Sequence, residues 1–211
     1  TGYCAGWSLK QLLLEGLGGI PGKITSSPAK HLSVLCNQMV NFLGIMQNEW
    51  AASQSFSSFD TYLAPFVKSD NLSYDKVKKC MEAFVFGVNT PSRWGTQAPF
   101  SHISMDFKVP QDMAGEKAIV GGKKMGFTYG ECQDEMDMVN RAFLETMLEG
   151  DANGQGFQYP IPSYGINADF DWSDTEQNRL LFSLASRHGT PYFINYVRGG
   201  AVQGEDRVTY G

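Results

Sequence analysis

The chain has 211 residues, with 17 basic and 22 acidic side chains and a formal net charge of −5. A hydrophobic content of 42% with 18% charged residues is typical of a globular protein with a buried core, and it excludes a disordered tail. No block of lysine or arginine stands out, which argues against a nucleic-acid groove. No apolar run is long enough to span a bilayer, so we expect a cytoplasmic protein without a membrane partner.

The four cysteines are far apart in the sequence and include no C-x-x-C pair. They are Cys4, Cys36, Cys80 and Cys132. This spacing argues against a zinc ribbon and against a dense disulfide framework, so we expect no metal site in this chain and a reducing compartment. The last three fall on predicted helix or loop positions and are interpreted as packing thiols.

The chain begins with a glycine-punctuated apolar run, residues 1–9, followed by an amphipathic stretch from about Ser8 to Leu17. This is the pattern of a buried strand that leads into a helix. We expect Cys4 at the end of a central strand, with its side chain inward, largely buried and without a disulfide partner. A thiol there points to where ligands usually bind in an α/β fold, although plain core packing is the commoner role of a buried cysteine.

The rest of the chain alternates helical and strand-like segments. Helices are predicted at about residues 28–49, 59–67, 74–89, 133–148 and from a cap at Asp174 to about 187. Further strands are predicted at residues 101–107, 157–164 and 192–197. Residues 110–130, rich in glycine and lysine, are predicted to form a loop. The alternating order predicts a parallel α/β fold.

The loop before the strand predicted at residues 101–107 is a candidate for substrate contacts. It contains Arg93, Trp94 and Gln97 and leads into a strand at Ser101. Polar loops of this kind often carry binding residues, and a surface loop around a buried tryptophan would have the same composition.

Four segments, collinear over almost the whole chain, together resemble the anaerobic (class III) ribonucleoside-triphosphate reductases. They are GYCAGWS at 2–8, QSFSSFD at 54–60 with LAPF at 63–66, SRWGTQAPF at 92–100, and FQYPIPSY at 157–164 with DFDW at 169–172. The resemblance implies a ten-stranded α/β barrel of the glycyl radical enzyme type. The chain would supply roughly its first half, as one piece over residues 1–211 truncated at both ends, with the 54–66 segment as a helical dimerisation pair.

The resemblance also implies the chemistry, reduction of ribonucleoside triphosphates to deoxyribonucleoside triphosphates by glycyl and thiyl radicals. A glycyl radical is passed to a cysteine at the barrel centre, whose thiyl takes the 3′-hydrogen of the ribose. A second cysteine, on the first strand, reduces the intermediate after water has left the 2′-carbon, and Cys4 matches it. The glycyl radical, the central cysteine and a structural zinc would all lie outside this chain.

Further residues and partners follow from the same resemblance. The implied substrate contacts are Ser92, Arg93, Gln97, Phe100 and Asn195. The implied interface for an effector and a second subunit contains Gln54, Phe56, Phe59 and Asp60. The implied partners are a ribonucleoside triphosphate substrate, ATP or deoxynucleotide effectors, formate or a thioredoxin-like reductant, the second subunit of a homodimer, and a radical-SAM activating enzyme with S-adenosylmethionine and an iron–sulfur cluster.

Two other interpretations stay open. The chain could be a fragment of another glycyl radical enzyme, such as a pyruvate formate-lyase relative, which shares the barrel but typically has two adjacent cysteines on the central loop. It could also be a non-catalytic module that only dimerises or binds nucleotide.

Overall fold

The computed structural model describes residues 2–18, 22, 25–91 and 97–197. The strands in these ranges are β1 (Ala5–Ser8), β2 (Gln54–Ser57), β3 (Ser101–Met105), β4 (Lys117–Val120), β5 (Lys123–Thr128), β6 (Ile161–Ile166) and β7 (Tyr192–Asn195). The helices are α1 (Leu9–Glu15), α2 (Leu32–Met46), α3 (Phe59–Ser69), α4 (Tyr74–Asn89), α5 (Gln111–Ala114), α6 (Gln133–Glu149) and α7 (Glu176–His188), with a 3₁₀ turn at Tyr129–Cys132.

Five of the strands form one parallel sheet in the order β1-β2-β3-β6-β7. The spatial order is also the chain order, so each helical crossover adds the next strand on the same side of the previous one. This confirms the predicted parallel α/β fold. It also distinguishes the sheet from a doubly wound one, in which the strand order reverses at a switch point.

One face of this sheet carries apolar side chains that pack against helices. Phe56 of β2 and Ile103 of β3 are paired in register and at most 1% exposed. Tyr164 of β6 is equally buried. At the β1 edge, Trp7 meets Phe42 of α2 edge-on, with ring centroids 5.2 Å apart. Because side chains alternate along a strand, these residues define one helix-facing side of the sheet.

Helix α3 lies inside this core and is enclosed on all sides. Every residue from Phe59 to Val67 is buried, including the polar side chains of Asp60 and Thr61. The Phe59 ring lies 5.0 Å from that of Phe84 in α4 and 6.4 Å from that of Phe143 in α6. Helix α3 therefore packs against both α4 and α6 in the core.

The prediction of a loop over residues 110–130 is wrong. The segment contains α5, the antiparallel β4–β5 hairpin and the 3₁₀ turn. The hairpin turns at Gly121 and Gly122, whose φ angles of 62° and 74° are those that a two-residue hairpin loop favours. Ala118 to Val120 are buried, so β4 is stabilised by packing. The lysines on either side of this short apolar run make the strand hard to recognise in the sequence.

Two further predictions need correction. The expected helix pair at 54–66 is a strand followed by a helix, because residues 54–57 form the second strand of the sheet. Helix α7 is capped by Thr175, whose side chain accepts from the Asn178 backbone N–H, and not by Asp174, which pairs with Arg179 at 2.6 Å. The bounds of α4 agree with the prediction, and the other helices and strands differ by a few residues at their ends.

None of the helices that the structure describes is long and apolar enough to cross a membrane.

Candidate functional site

The other face of the parallel sheet carries small and neutral residues. We call it the polar face, and its strand positions hold Gly6, Ser8, Ser55, Ser57, His102, Ser104, Ile161, Ser163, Gly165, Tyr192 and Ile194. These positions alternate with the apolar residues of the helix-facing side. No charged side chain occurs among them. The same strands thus present a core on one side and a hydroxyl-rich surface on the other.

A histidine–serine pair joins two strands of the polar face. His102 Nε2 and Ser163 Oγ lie 2.6 Å apart, joining β3 to β6. The two residues are 8% and 3% exposed. Burial lowers the pKa of the His102 imidazole, so the ring is neutral near pH 7. Next to the pair, Ser104 Oγ accepts a hydrogen bond from the backbone N–H of Ser58 at 3.2 Å.

Cys4 lies immediately before β1 at the amino end of the sheet. Backbone hydrogen bonds to the segment before β2 continue on both sides of Cys4. Ala5 N–H donates to Ser53 O at 3.0 Å, and Ala52 N–H donates to Tyr3 O at 2.7 Å. Strand alternation, extended by one residue from Ala5, would place Cys4 on the polar face next to Gly6.

The surroundings of Cys4 differ in part from the expectation. It forms no disulfide and is half-buried, whereas we expected it to be largely buried. The strand that it precedes is an edge strand of the described sheet and not a central one.

Of the predicted substrate residues that the structure describes, Gln97 and Phe100 lie near one end of the sheet and Asn195 lies at the other. Ser92 and Arg93 lie outside the described residues. Gln97 is exposed, and Phe100, partly exposed, has its ring centroid 5.5 Å from that of Tyr159. The backbone oxygen of Phe100 accepts from Gln54 N–H, so this loop reaches the amino edge of the sheet, where Cys4 also lies.

Asn195 lies at the opposite end of the strands. It is the last residue of β7, and its Oδ1 accepts from the backbone N–H of Val197 at 2.9 Å. It shares a side of the strand with Phe193, whose ring packs 6.0 Å from that of Phe182 in α7. Asn195 is thus on the helix-facing side, away from the polar face.

The four predicted interface residues are buried in the chain's own core. Gln54, Phe56, Phe59 and Asp60 are all at most 1% exposed. The amide of Gln54, for example, accepts from Trp7 Nε1 at 3.3 Å and donates to the backbone oxygen of Leu43 at 3.2 Å. Because all four are enclosed in the core of this chain, the position of α3 is the route by which they would act on an interface.

The carboxylate of Asp60 organises the carboxyl end of β3. It accepts hydrogen bonds from the backbone N–H groups of Asp106 at 2.9 Å and Phe107 at 2.8 Å, and from Asn140 Nδ2 at 2.9 Å. Asn140 Oδ1 in turn accepts from the Tyr164 hydroxyl at 3.2 Å. Burial raises the pKa of Asp60, against the opposing effect of these hydrogen bonds. The network holds a turn in which Phe107 has a φ of 66°.

Sequence reasoning missed the polar face. Its signal is the period-2 alternation of Ser or His with apolar residues in QSFS, SHISM and IPSYG. Polar residues at every second position usually indicate a solvent-facing side of a strand. Only the spatial neighbours of the strands show that Ser55, His102 and Ser163 converge on one surface.

Metal-binding groups do not cluster in the part of the chain that the structure describes, since no group of three or more His, Cys, Asp or Glu side chains there has the geometry to hold an ion.

Solved structures of anaerobic ribonucleotide reductases share this fold. The Thermotoga maritima enzyme in complex with dATP and CTP superposes with a TM-score of 0.66 at 20% identity, over 87% of this chain and 32% of that one. The same enzyme with MES in the active site gives a TM-score of 0.68 at 20% identity, over 88% and 32%. The chain thus spans about a third of the length of these proteins. No curated protein sequence matches it significantly.

A comparison with protein families gives the assignment. The sequence model described as anaerobic ribonucleoside-triphosphate reductase matches residues 1–210, which is nearly the whole chain. Together with the shared parallel α/β fold, this match shows that the chain belongs to the anaerobic ribonucleoside-triphosphate reductase family.

Proposed function

We propose that the protein containing this chain reduces ribonucleoside triphosphates to deoxyribonucleoside triphosphates by glycyl and thiyl radical chemistry in the cytoplasm. The observation that carries the proposal is the family match over residues 1–210. A similar solved structure holds dATP and CTP, and another holds dATP in its specificity site. These support a nucleotide substrate and allosteric control by nucleotides.

The chain would form roughly the first half of a ten-stranded barrel. Strands that follow one another around a barrel are neighbours in chain order, and β1, β2, β3, β6 and β7 have this order with every pair parallel. The polar face would then be the inner face of the barrel, and α2, α3, α4, α6 and α7 part of its outer layer.

Cys4 would be the cysteine that reduces the substrate after the 2′-hydroxyl has left as water. The glycyl radical and the hydrogen-abstracting cysteine would come from the rest of the protein and supply the thiyl that takes the 3′-hydrogen. Support for this role of Cys4 is that it forms no disulfide, is half-buried and lies next to a face without charged strand residues. A neutral surrounding suits a group that transfers a hydrogen atom, because no charge has to be desolvated or moved.

The other proposed contacts lie around this position. Gln97 and Phe100, with Ser92 and Arg93 of the same loop, would contact the substrate from the amino edge of the sheet. Asn195 lies on the helix-facing side and is not included among these contacts. The protein would act as a homodimer with ATP or deoxynucleotides as effectors. A radical-SAM activating enzyme, formate or a thioredoxin-like reductant, and a structural zinc bound outside this chain would complete the system.

The test is an anaerobic assay of the full-length protein with its activating enzyme, S-adenosylmethionine, a reductant and a ribonucleoside triphosphate. We expect deoxynucleotide product and a glycyl radical signal in electron paramagnetic resonance. A radical signal with cleavage of pyruvate in the presence of coenzyme A, and no deoxynucleotide, would overturn the proposal in favour of a pyruvate formate-lyase relative. Nucleotide binding or dimerisation without any radical or turnover would favour a non-catalytic module.

A further inference from the structure

The last residue of helix α4 binds the loop that precedes β6. Asn89 Oδ1 accepts from the backbone N–H of Tyr159 at 3.0 Å, and Asn89 Nδ2 donates to the backbone oxygen of Tyr159. The same Nδ2 donates to Val85 O, one turn earlier in the helix, at 2.7 Å. Because an N–H group faces Oδ1 and two carbonyl oxygens face Nδ2, only one orientation of the amide satisfies all three bonds. One side chain of α4 thus binds both polar backbone groups of Tyr159.

Tyr159 lies in line with Phe100 and Cys4 at the amino edge of the sheet. The strand register, continued by one or two residues before each strand, aligns these three residues in one row. The bond from Gln54 N–H to Phe100 O, at 2.9 Å, follows this register. Adjacent strands are about 4.8 Å apart, so the backbone of Phe100 lies about 10 Å from that of Cys4, two strands away.

The ring of Tyr159 supports one side of Phe100. The two ring centroids are 5.5 Å apart, within the range of an aromatic contact. Phe100 still has 43% of its surface exposed, so part of it is free to contact another molecule. The position of this open surface depends on where Tyr159 lies.

A second contact joins the same loop to the same helix. The ring of Phe157 meets that of Phe86 in α4 edge-on, with centroids 4.9 Å apart. Together with the bonds from Asn89 to Tyr159, this contact attaches the loop before β6 to the last turn of α4 at two points. The helix therefore determines where the ring of Tyr159 lies.

The bonds of Asn89 go beyond those that an asparagine makes within its own helix. Asn41 of α2 shows the simpler case, since its Nδ2 donates to Asn37 O at 2.8 Å and to Asn37 Oδ1 at 2.9 Å, both in the same helix. Asn89 makes the corresponding bond to Val85 O and adds two bonds to a different segment. These two bonds are what distinguishes Asn89 from Asn41.

On these grounds, and resting on the proposed function, we propose that Asn89 is a positioning residue for the nucleotide substrate. It holds the backbone of Tyr159, the ring of Tyr159 supports Phe100, and Phe100 contacts the substrate on the side of the sheet edge where Cys4 lies. Asn89 belongs to the helical layer and acts only through Tyr159.

The experiment compares Asn89→Ala with Asn41→Ala in the activated full-length enzyme. For Asn89→Ala we expect KM for a ribonucleoside triphosphate to rise about tenfold, because both backbone groups of Tyr159 lose their partner and the support of Phe100 shifts. We expect kcat to stay within about threefold and the glycyl radical signal to be unchanged, since no reacting group is altered. Asn41→Ala loses the bond within its helix and should behave as wild type. An unchanged KM for Asn89→Ala would overturn the proposal.

Variants of Tyr159 test whether Asn89 acts through this ring. Tyr159→Phe keeps the ring and should leave KM within about twofold, whereas Tyr159→Ala should raise KM about tenfold. Adding Asn89→Ala to Tyr159→Ala should raise KM by no more than a further twofold or so, because the two residues act in series. Multiplied effects in the double variant, or equal KM for Tyr159→Phe and Tyr159→Ala, would contradict the role of Asn89.

Failure of this role is distinguishable from failure of the proposed function. Deoxynucleotide formation with an unchanged KM in Asn89→Ala rejects the role and leaves the function in place. If the wild-type enzyme forms no deoxynucleotide, the function fails, and the dissociation constant of the ribonucleoside triphosphate, measured without activation, decides the role. An increase of about tenfold in Asn89→Ala would support it, and an unchanged dissociation constant would overturn it.

Discussion

The two faces of the parallel sheet differ in chemistry although both are formed by the same short strands. On the helix-facing side, Phe56 and Ile103 are packed without solvent contact. On the polar face, their sequence neighbours Ser55 and His102 are also in register but carry a hydroxyl and an imidazole. Along each strand, residues that stabilise the core therefore alternate with residues of the face proposed to carry the chemistry.

This difference shows how the five strands of the sheet can hold the polar face in place. The helix-facing side fixes the strands through close packing of aromatic and aliphatic side chains. The residues of the polar face therefore do not have to add to the packing of the core. Asp60 is one of the residues that stabilise the fold, because it holds the end of β3 from within the core. Cys4 is instead one of the residues proposed to take part in the chemistry.

The largest expected effect on stability comes from the buried carboxylate. Asp60→Ala leaves the N–H groups of Asp106 and Phe107 and the Asn140 amide without their acceptor. Each such group costs about 1–3 kcal/mol, so we expect a loss of about 3–9 kcal/mol in the free energy of unfolding. Urea unfolding measures it, with Asp75→Ala on the exposed side of α4 as the control. A loss no larger than that of the control would show that the network does not hold the turn.

A pair of neighbouring substitutions on β2 compares the two faces directly. Phe56→Ala removes a buried ring from the core and should cost about 3–5 kcal/mol. Ser57→Ala, one residue further on the polar face, should change the free energy of unfolding by less than about 0.5 kcal/mol. The same urea measurement serves both. Similar losses for the two variants would mean that the polar face is part of the core.

The smallest expected effect is the pH dependence that His102 contributes. Its pKa in the folded chain is lower than the usual 6.5, because burial disfavours the imidazolium. The unfolded chain therefore takes up this proton first as the pH falls. The stabilising contribution is complete above pH 6.5 and is lost as the pH falls through the lower, folded pKa. Unfolding free energies of wild type and His102→Gln between pH 8 and pH 5 measure it, and equal slopes for the two would contradict the assignment.

Much of the fold could be predicted from the sequence because the long helices have a periodic apolar pattern. Helix α4 has the predicted bounds, and α6 differs by one residue. The β4–β5 hairpin was missed because its short buried strand is flanked by lysines, and residues 54–57 were assigned to a helix because of their resemblance to an interface segment. Local patterns do not distinguish a four-residue strand from the start of a helix.

The site could be predicted less well, for reasons that concern distance along the chain. Cys4 was found because it belongs to a local motif. The Asp60 network joins residues 60, 106, 107 and 140, and the polar face joins residues 6, 55, 102 and 163, so neither has a local pattern. Asn195 was inferred from the family resemblance, but alternation puts it on the helix-facing side.

The central claim is that Cys4 is a reactive thiol on a surface separate from the core, and one paired measurement tests it. In the activated full-length enzyme, Cys4→Ser and Cys36→Ser are assayed for deoxynucleotide product and for the glycyl radical signal. Cys36 lies buried on α2, and burial raises its pKa well above the usual range, as for an inert packing thiol. We predict no product with an intact radical signal for Cys4→Ser, and product with an intact signal for Cys36→Ser. Normal turnover by Cys4→Ser would contradict the account.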